Sequence, residues 1–186
     1  LTTRRQRQMC IRDSYWDGDR RICYGGYNYI EGRWQKVAER MAANYNLKPD
    51  AKILDIGCGK GYLLFDFLKV LPEAKIFGVD ISEYAITHSK DEIKSNLIVG
   101  DAASLPYEDN YFDLVISINT LHCLEAPQLY KALKEMERVG KDKKYLCVES
   151  YRSEVEKANL LYWQVSCEAF NTPSEWNWWF DLAGYV

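Results

Sequence analysis

Alternating glycines behind a carboxylate form the part of the sequence best suited to hold a ligand. Gly57, Gly59 and Gly61 occupy every second position near the end of the segment 52–61, and Asp55 comes two residues before the first of them. Glycine lets the backbone turn sharply and approach a ligand without interference from a Cβ atom. This loop is therefore predicted to lie against a bound small molecule.

Two further carboxylates follow short apolar runs later in the chain. Asp80 ends the run 75–79, 25 residues after Asp55, and Asp101 follows the run 96–100. An acidic residue about 20 residues beyond a glycine loop accepts hydrogen bonds from ribose hydroxyls in Rossmann-like folds. The sequence thus places three acidic groups at predicted strand ends, where open α/β sheets bind their ligands.

The elements that position these groups are predicted from the spacing of apolar residues. The apolar residues of 52–56 indicate a buried parallel strand, and a helix predicted for 62–71 follows the glycine loop directly. A strand, a glycine loop and a helix in this order build the nucleotide pockets of α/β proteins. Further strands are predicted at 75–79, 96–100, 113–118 and 144–149. Further helices are predicted at 30–46, 83–90, 126–139 and 154–170. A last helix is predicted to begin with a capping box at 172–175 and to end at Gly184.

The glycine loop resembles motif I of the class I S-adenosylmethionine (SAM) dependent methyltransferases, D/E-x-G-x-G-x-G. Asp55 and the three glycines fill every position of that pattern, whereas the dinucleotide fingerprint reads G-x-G-x-x-G. The segment 119–122, after the fourth predicted strand, is similar to the motif IV region of the same family. The resemblance implies an α/β fold with a Rossmann-like doubly wound parallel sheet of strand order 3-2-1-4-5 and helices on both faces. It also implies SAM as the cofactor and methyl transfer to a small-molecule acceptor as the reaction.

Cofactor contacts follow from the resemblance position by position. Asp55 and the glycine loop would hold the methionine end, Asp80 the ribose hydroxyls, and Asp101 the adenine amino group. The remaining residues of the predicted cofactor site are Cys58, Ile81, Ala102 and Asn119. SAM carries a sulfonium and an ammonium against one carboxylate, so an acidic rim suits it better than a phosphate-bearing ligand, which calls for basic groups.

His122 is the one candidate for a catalytic residue, as a general base beside the methyl acceptor. The alternative is a structural histidine that holds the backbone after the fourth strand. Contacts to the acceptor are predicted for Tyr27 and Tyr29, in an aromatic segment, and for Glu149 and Tyr151, after the fifth strand. With two histidines and six scattered cysteines, no metal-ligand spacing is present in the sequence.

Composition narrows the class of protein and its partners. The chain has 186 residues and a net charge of −3, which becomes −6 without residues 1–14. An acidic chain disfavours a nucleic-acid partner, which needs a basic face. No apolar run approaches the roughly 18 residues of a membrane span, and scattered thiols suggest a reducing cytoplasm. The predicted partner is a small molecule, with no nucleic acid and no membrane, and the oligomeric state stays open.

Four segments are expected along the chain. Residues 1–14 resemble a translated sequencing adaptor, with a genuine basic arm as the alternative, and 15–46 form a lid segment and a helix. Residues 47–150 form the SAM-binding core, and 151–186 a helical segment that ends before strands six and seven of the family fold. The fifth strand is then expected at an edge of the sheet.

Two other classes of protein stay open from the sequence. The first is a nicotinamide-dependent oxidoreductase, which the glycine spacing and Asp55 disfavour. The second is a SAM-binding protein without turnover, which the sequence does not distinguish from an enzyme. Methylation of a protein partner is a further alternative.

Overall fold

The computed structural model of the chain describes residues 13–21, 26–164 and 166–185. Most of the expected arm 1–14 lies outside these residues. The described residues form one sheet with helices on both faces, which confirms the predicted fold.

The sheet has five parallel strands in the order β3-β2-β1-β4-β5. The strands are β1 (Lys52–Ile56), β2 (Lys75–Asp80), β3 (Leu97–Val99), β4 (Leu114–Ile118) and β5 (Lys144–Cys147). All five therefore end at the same edge of the sheet, with Asp55 and Asp80 near two of those ends. As expected, β5 is an edge strand of this sheet.

The helices cover both faces because successive strand residues point to opposite sides. They are α1 (Asp13–Asp17), α2 (Gln35–Asn44), α3 (Tyr62–Val70), α4 (Glu83–Thr87), α5 (Asp91–Lys94), α6 (Ala126–Val139), α7 (Glu154–Trp163) and α8 (Pro173–Ala183), with a short 3₁₀ helix at Leu121–Cys123. Ile53 packs with α2 and α3 on one face, and its neighbour Leu54 packs with α6 and α8 on the other. Each cluster contains fully buried side chains such as Phe67 and Leu133.

Several predicted elements end earlier or start later than expected from the sequence. The helix predicted for 83–90 ends at Thr87, and the strand predicted for 96–100 is limited to Leu97–Val99. The helix predicted from residue 30 starts at Gln35, because Gly32 has φ +73°, a left-handed conformation that a helix excludes. The fifth strand ends at Cys147, because the backbone groups of Glu149 bond to the side chains of His122 and Trp176 instead of a neighbouring strand. The helix predicted for 154–170 ends at Trp163.

The capping box at α8 is confirmed. Thr172 and Glu175 exchange the two reciprocal hydrogen bonds, Pro173 is the first helical residue, and Gly184 ends the helix in the left-handed conformation. Ser82 caps α4 as predicted, since its hydroxyl accepts from the Ala85 N–H.

Within the described part of the chain, no helix combines the length and apolarity needed to span a bilayer.

Candidate active site

A cavity of about 530 Å³ opens at the carboxyl edge of the sheet. Its volume lies within the roughly 300–1,000 Å³ typical of small-molecule sites. All predicted cofactor-binding residues except Gly61 line it: Asp55, Gly57, Cys58, Gly59, Asp80, Ile81, Asp101, Ala102 and Asn119. Gly61 instead caps α3, and a Cβ there would lie 2.7 Å from Ile93, so this glycine lets the helix pack closely.

The glycine loop is held by a network that leaves no room for larger side chains. Gly57 has φ +79°, and a Cβ on it would lie 2.1 Å from the Thr120 hydroxyl. The N–H of Gly59 donates to Asp80 Oδ2 at 2.8 Å, while Asp80 Oδ1 accepts from the Ser82 N–H at 2.8 Å. Asp80 therefore joins the loop to the end of β2.

Two buried carboxylates give the cavity a negative character. Burial, together with the charge of Asp80, raises the pKa of Asp55 to about 7. Burial also raises the pKa of Asp80, against the lowering effect of its two backbone hydrogen bonds. Within the described residues, the Asp55 carboxylate receives no hydrogen bond. Charged groups are costly to bury without a partner, so this cavity favours a ligand with positive charge.

Lys60, the basic residue of the loop, is neutralised by α1. Its ammonium lies 2.9 Å from both carboxylate oxygens of Asp17, and its side chain is 4% exposed. Asp17 also accepts from the Tyr84 hydroxyl at 2.9 Å. The charge of Lys60 is thus balanced by the ion pair with Asp17, which disfavours a phosphate ligand at this loop.

The aromatic segment before α2 covers the glycine loop. Trp16 is buried, its ring lies against Gly59, and its Nε1 donates to the Ser82 hydroxyl at 3.0 Å. Tyr27 lines the cavity and stacks on Tyr62 with ring centroids 5.4 Å apart. Tyr24 and Gly25, which were part of this predicted lid, lie outside the described residues.

Tyr29, predicted with Tyr27 as a substrate contact, does not line the cavity. Its hydroxyl donates to the buried carboxylate of Asp66, and its ring meets Tyr62 and Phe65 edge-on. Tyr29 therefore anchors the segment on α3.

His122 is buried beside the cavity and is not among the residues that line it. Its Nδ1 accepts from the Glu149 N–H at 3.3 Å, and its carbonyl accepts from the N–H groups of Glu168 and Ala169, each at 2.9 Å. Burial lowers the pKa of His122 to about 4, so the ring is neutral at pH 7 and weakly basic. This geometry favours the structural alternative, and the general-base role stays a prediction.

Glu149 and Tyr151, the other predicted acceptor contacts, are not among the residues that line the cavity either. Glu149 borders a separate, open groove together with Arg152 and Glu156. Tyr151 faces the ammonium of Lys157, which lies 5.0 Å from the ring centroid.

Several lining residues were not predicted from the sequence. They are Tyr15, Trp16, Arg33, Trp34, Thr120, Cys123, Leu124 and Ser166, among others. Trp34 lies within the helix predicted for 30–46, and Tyr15 and Trp16 lie within the predicted lid segment, but the sequence assigns none of them an individual role. No local sequence pattern predicts that Ser166 lines the cavity, because contacts of the C-terminal segment with His122 bring it there.

A metal centre is not evident in the part of the chain that the structure describes. No three His, Cys, Asp or Glu side chains there lie close enough together to bind an ion.

The sheet order and the position of the cavity define the Rossmann-like fold of class I SAM-dependent methyltransferases. The profile of the methyltransferase domain family matches residues 47–184, which contain the sheet, the glycine loop and the three predicted cofactor carboxylates. The chain belongs to this family.

Two curated relatives illustrate the range of the family. The chain is 29% identical over 145 residues to a demethylmenaquinone methyltransferase of Symbiobacterium thermophilum, covering 72% of this chain and 57% of that protein. It is 33% identical over 130 residues to a tRNA (carboxymethyluridine(34)-5-O)-methyltransferase of Arabidopsis thaliana, covering 69% of this chain and 30% of that protein. The chain thus spans 57% and 30% of the length of these relatives.

Among solved structures, the [4+2]-cyclase SpnF superposes with a TM-score of 0.65 at 23% identity, covering 91% of this chain and 61% of that one. At this identity the likeness shows the fold alone.

Proposed function

We propose that the chain binds SAM in the 530 Å³ cavity and transfers its methyl group to a small-molecule acceptor. The observation that carries this proposal is the buried pair Asp55 and Asp80 beside the glycine loop. Two carboxylates with raised pKa values, one without a hydrogen-bond donor among the described residues, are complementary to a cationic ligand. Membership in the methyltransferase domain family supports the same cofactor.

The residues present suit the parts of SAM. Asp55 lies where it would attract the ammonium, and Gly57 and Gly59 leave the space that side chains would fill. Asp80 would accept from the ribose hydroxyls, and the exposed side chain of Ile81 offers an apolar surface to the adenine. We expect Asp101 and Ala102 to contact the adenine and Asn119 to form the floor of the site. All three residues line the cavity, which supports these predictions.

SAM held by Asp55, Asp80 and the glycine loop would supply a methyl carbon activated by the sulfonium, with the sulfur as the leaving group when a lone pair of the acceptor attacks. The protein's contribution is alignment, and well-oriented reactants reach effective molarities of about 10⁵ to 10⁸ M. Trp16, which lies against Gly59, and Tyr27, which lines the cavity, would exclude water, and this supports the predicted lid.

Calorimetric titration with S-adenosylhomocysteine (SAH) tests the cofactor. We expect micromolar binding of SAH and none of NAD. Asp80→Asn should weaken SAH binding by about tenfold or more, because hydrogen bonds to charged groups contribute about 1.5–3 kcal/mol. Asp113→Asn is the matched control, since Asp113 accepts from the Lys52 N–H at 2.8 Å at the opposite end of the sheet. A folded chain that does not bind SAH would overturn the proposal.

Two alternatives remain to be separated by experiment. NAD binding without SAH binding would favour an oxidoreductase. A SAH-binding chain that yields no methylated product with any acceptor would favour a protein without methyl transfer, since one fold serves several chemistries. The tRNA methyltransferase among the relatives makes RNA the first macromolecule to include in such a screen.

A further inference from the structure

The β4 side of the cavity carries a polar pair that the cofactor assignment leaves unused. The predicted cofactor contacts follow β1, β2 and β3, and Asn119 begins the loop after β4. Because β4 is the neighbour of β1 in the sheet, residues further along this loop would lie beyond the predicted methionine end of the cofactor. Cys123 and Leu124 from this loop line the cavity, together with Trp34 from the start of α2.

Ser166 is brought to the same place by the C-terminal segment. The N–H groups of Glu168 and Ala169 donate to the His122 carbonyl at 2.9 Å, and the amide of Gln164 lies 3.4 Å from His122 Nε2. Ser166 lies between these anchoring points, is 4% exposed and lines the cavity. The buried histidine therefore fixes the position of a residue 44 positions further along the chain.

The Cys123 thiol and the Ser166 hydroxyl lie 3.2 Å apart, and either group can donate to the other. A hydroxyl offers one donor and two acceptor positions, so this pair can bind a further hydroxyl without any charge. Leu124, which follows Cys123 in the chain, and Trp34 also line the cavity, and an aromatic ring in the lining favours a flat partner.

We propose that the Cys123–Ser166 pair binds the methyl acceptor, and that the acceptor is an uncharged, flat molecule with a hydroxyl group. This inference rests on the proposed function. Arg33 is the basic residue among the described residues that line the cavity, and its side chain is exposed. We assign it to the carboxylate of the cofactor, so an anionic acceptor held by Arg33 is the competing outcome.

Thiol alkylation of the full chain tests this assignment. The protein is saturated with SAH, treated with iodoacetamide and mapped by peptide mass spectrometry at Cys123. Cys58, which is buried at the predicted cofactor contact, is the internal reference. The probes are 1-naphthol, which is flat and uncharged with one hydroxyl, and 1-naphthoate, which has a similar shape and a negative charge.

We expect Cys123 to stay reactive with SAH bound, and 1-naphthol to slow its alkylation. At a probe concentration of about ten times its Kd, the slowing should be about tenfold, whereas 1-naphthoate should have little effect. Ser166→Ala should remove the protection by 1-naphthol and leave the affinity for SAH unchanged. Ser95→Ala, at an exposed serine after α5, should change neither.

Each contrary result points to a different failure. Absence of SAH binding contradicts the proposed function itself. If SAH alone blocks Cys123, the pair belongs to the cofactor site and this inference is wrong. If SAH binds and 1-naphthol gives no protection, or 1-naphthoate protects better, the uncharged hydroxylated acceptor is excluded. A Ser166→Ala chain that still binds SAH and is still protected by 1-naphthol would also overturn the role of the pair.

Discussion

At the scale of single residues, ionisation of the Asp55 carboxylate has opposite effects on the stability of the folded chain and on its affinity for a ligand. It is 5% exposed, close to Asp80, and receives no hydrogen bond among the described residues. An ionised carboxylate in this position is unfavourable in the ligand-free chain and favourable beside a cation. The ionised form of Asp55, which would bind the cationic ligand, therefore destabilises the ligand-free folded chain.

The affinity for SAH should depend on pH through Asp55. Its pKa of about 7 means that the carboxylate is largely protonated at pH 6 and largely ionised at pH 8. Calorimetry over this range should show affinity rising by up to about tenfold, in step with the ionised fraction. Asp55→Asn should bind SAH weakly and with a flat profile, and an unchanged slope in this variant would contradict the assignment.

Ionisation of Asp55 should lower the stability of the ligand-free chain, whereas it raises the affinity for SAH. Because its pKa is raised in the folded state, the folded chain holds the proton more tightly than the unfolded chain between about pH 4 and 7. The contribution of Asp55 to stability therefore falls as pH rises through this window. Ligand-free Asp55→Asn should melt at a higher temperature than the original chain at pH 8.

Gly57 combines a left-handed backbone with a close approach, and Gly32 separates the two effects. Gly57→Ala meets Thr120 at 2.1 Å, whereas Gly32→Ala, at φ +73°, meets nothing within 4 Å. Urea denaturation should show a loss of about 1–2 kcal/mol for Gly32→Ala from backbone strain alone. Gly57→Ala should lose about 1–3 kcal/mol more from overpacking, and only this variant should lose SAH binding. Equal losses would contradict the steric role of Thr120.

At the scale of elements, α1 is attached to the glycine loop and to α4 through polar contacts of Trp16 and Asp17. Trp16 bonds to Ser82 and Asp17 bonds to Lys60, so a short helix spans the glycine loop and the start of α4. Helices of this length are marginal in isolation, so these contacts decide whether α1 stays in place. Its role as a lid remains a proposal.

Asp17→Asn should detach α1 because it leaves the buried Lys60 ammonium without its counter-charge. Breaking a buried ion pair costs about 3–5 kcal/mol, and partial exposure of Asp17 places this case at the lower end. We expect faster limited proteolysis within 13–30 and weaker SAH binding, with partial recovery in Asp17→Asn/Lys60→Met. Asp19→Asn, which removes an exposed pair with Arg21, is the control and should change neither.

At the scale of the whole molecule, the junction around His122 joins the loop after β4, the end of β5 and the C-terminal segment. These parts are distant in sequence and meet only in the folded chain. A neutral ring holds them together, because a charged imidazolium would be buried and could no longer accept from Glu149. The stability of the fold is thus linked to the protonation of one histidine.

His122 should make the folded chain sensitive to acid. Its pKa is lowered to about 4, so the unfolded state binds more protons than the folded state between about pH 6.5 and 4. Its stabilising contribution is present above pH 6.5 and should decrease by up to about 3 kcal/mol across this window. Denaturation curves of His122→Gln should lack this part of the pH dependence, while His88→Gln, at an exposed histidine, should retain it.

The sequence alone determined the features that depend on near neighbours. The glycine loop, the carboxylates at strand ends, the Ser82 cap and the capping box of α8 follow from residues within a few positions of one another. Strand order came from the family resemblance, which short motifs in chain order were sufficient to establish. The local features were predictable because backbone conformation and strand direction fix them, whereas strand order was predictable only through the resemblance.

Only the tertiary structure decided which side chains face the cavity. Tyr29, His122 and Tyr151 do not line the cavity, because Asp66, the backbone of Glu149 and Lys157 provide their partners. Glu149 borders a separate groove. Conversely, Trp16 and Ser82 meet across 66 positions, and Cys123 and Ser166 across 43. Such contacts arise from the packing of distant segments, and no local pattern of residue types encodes them.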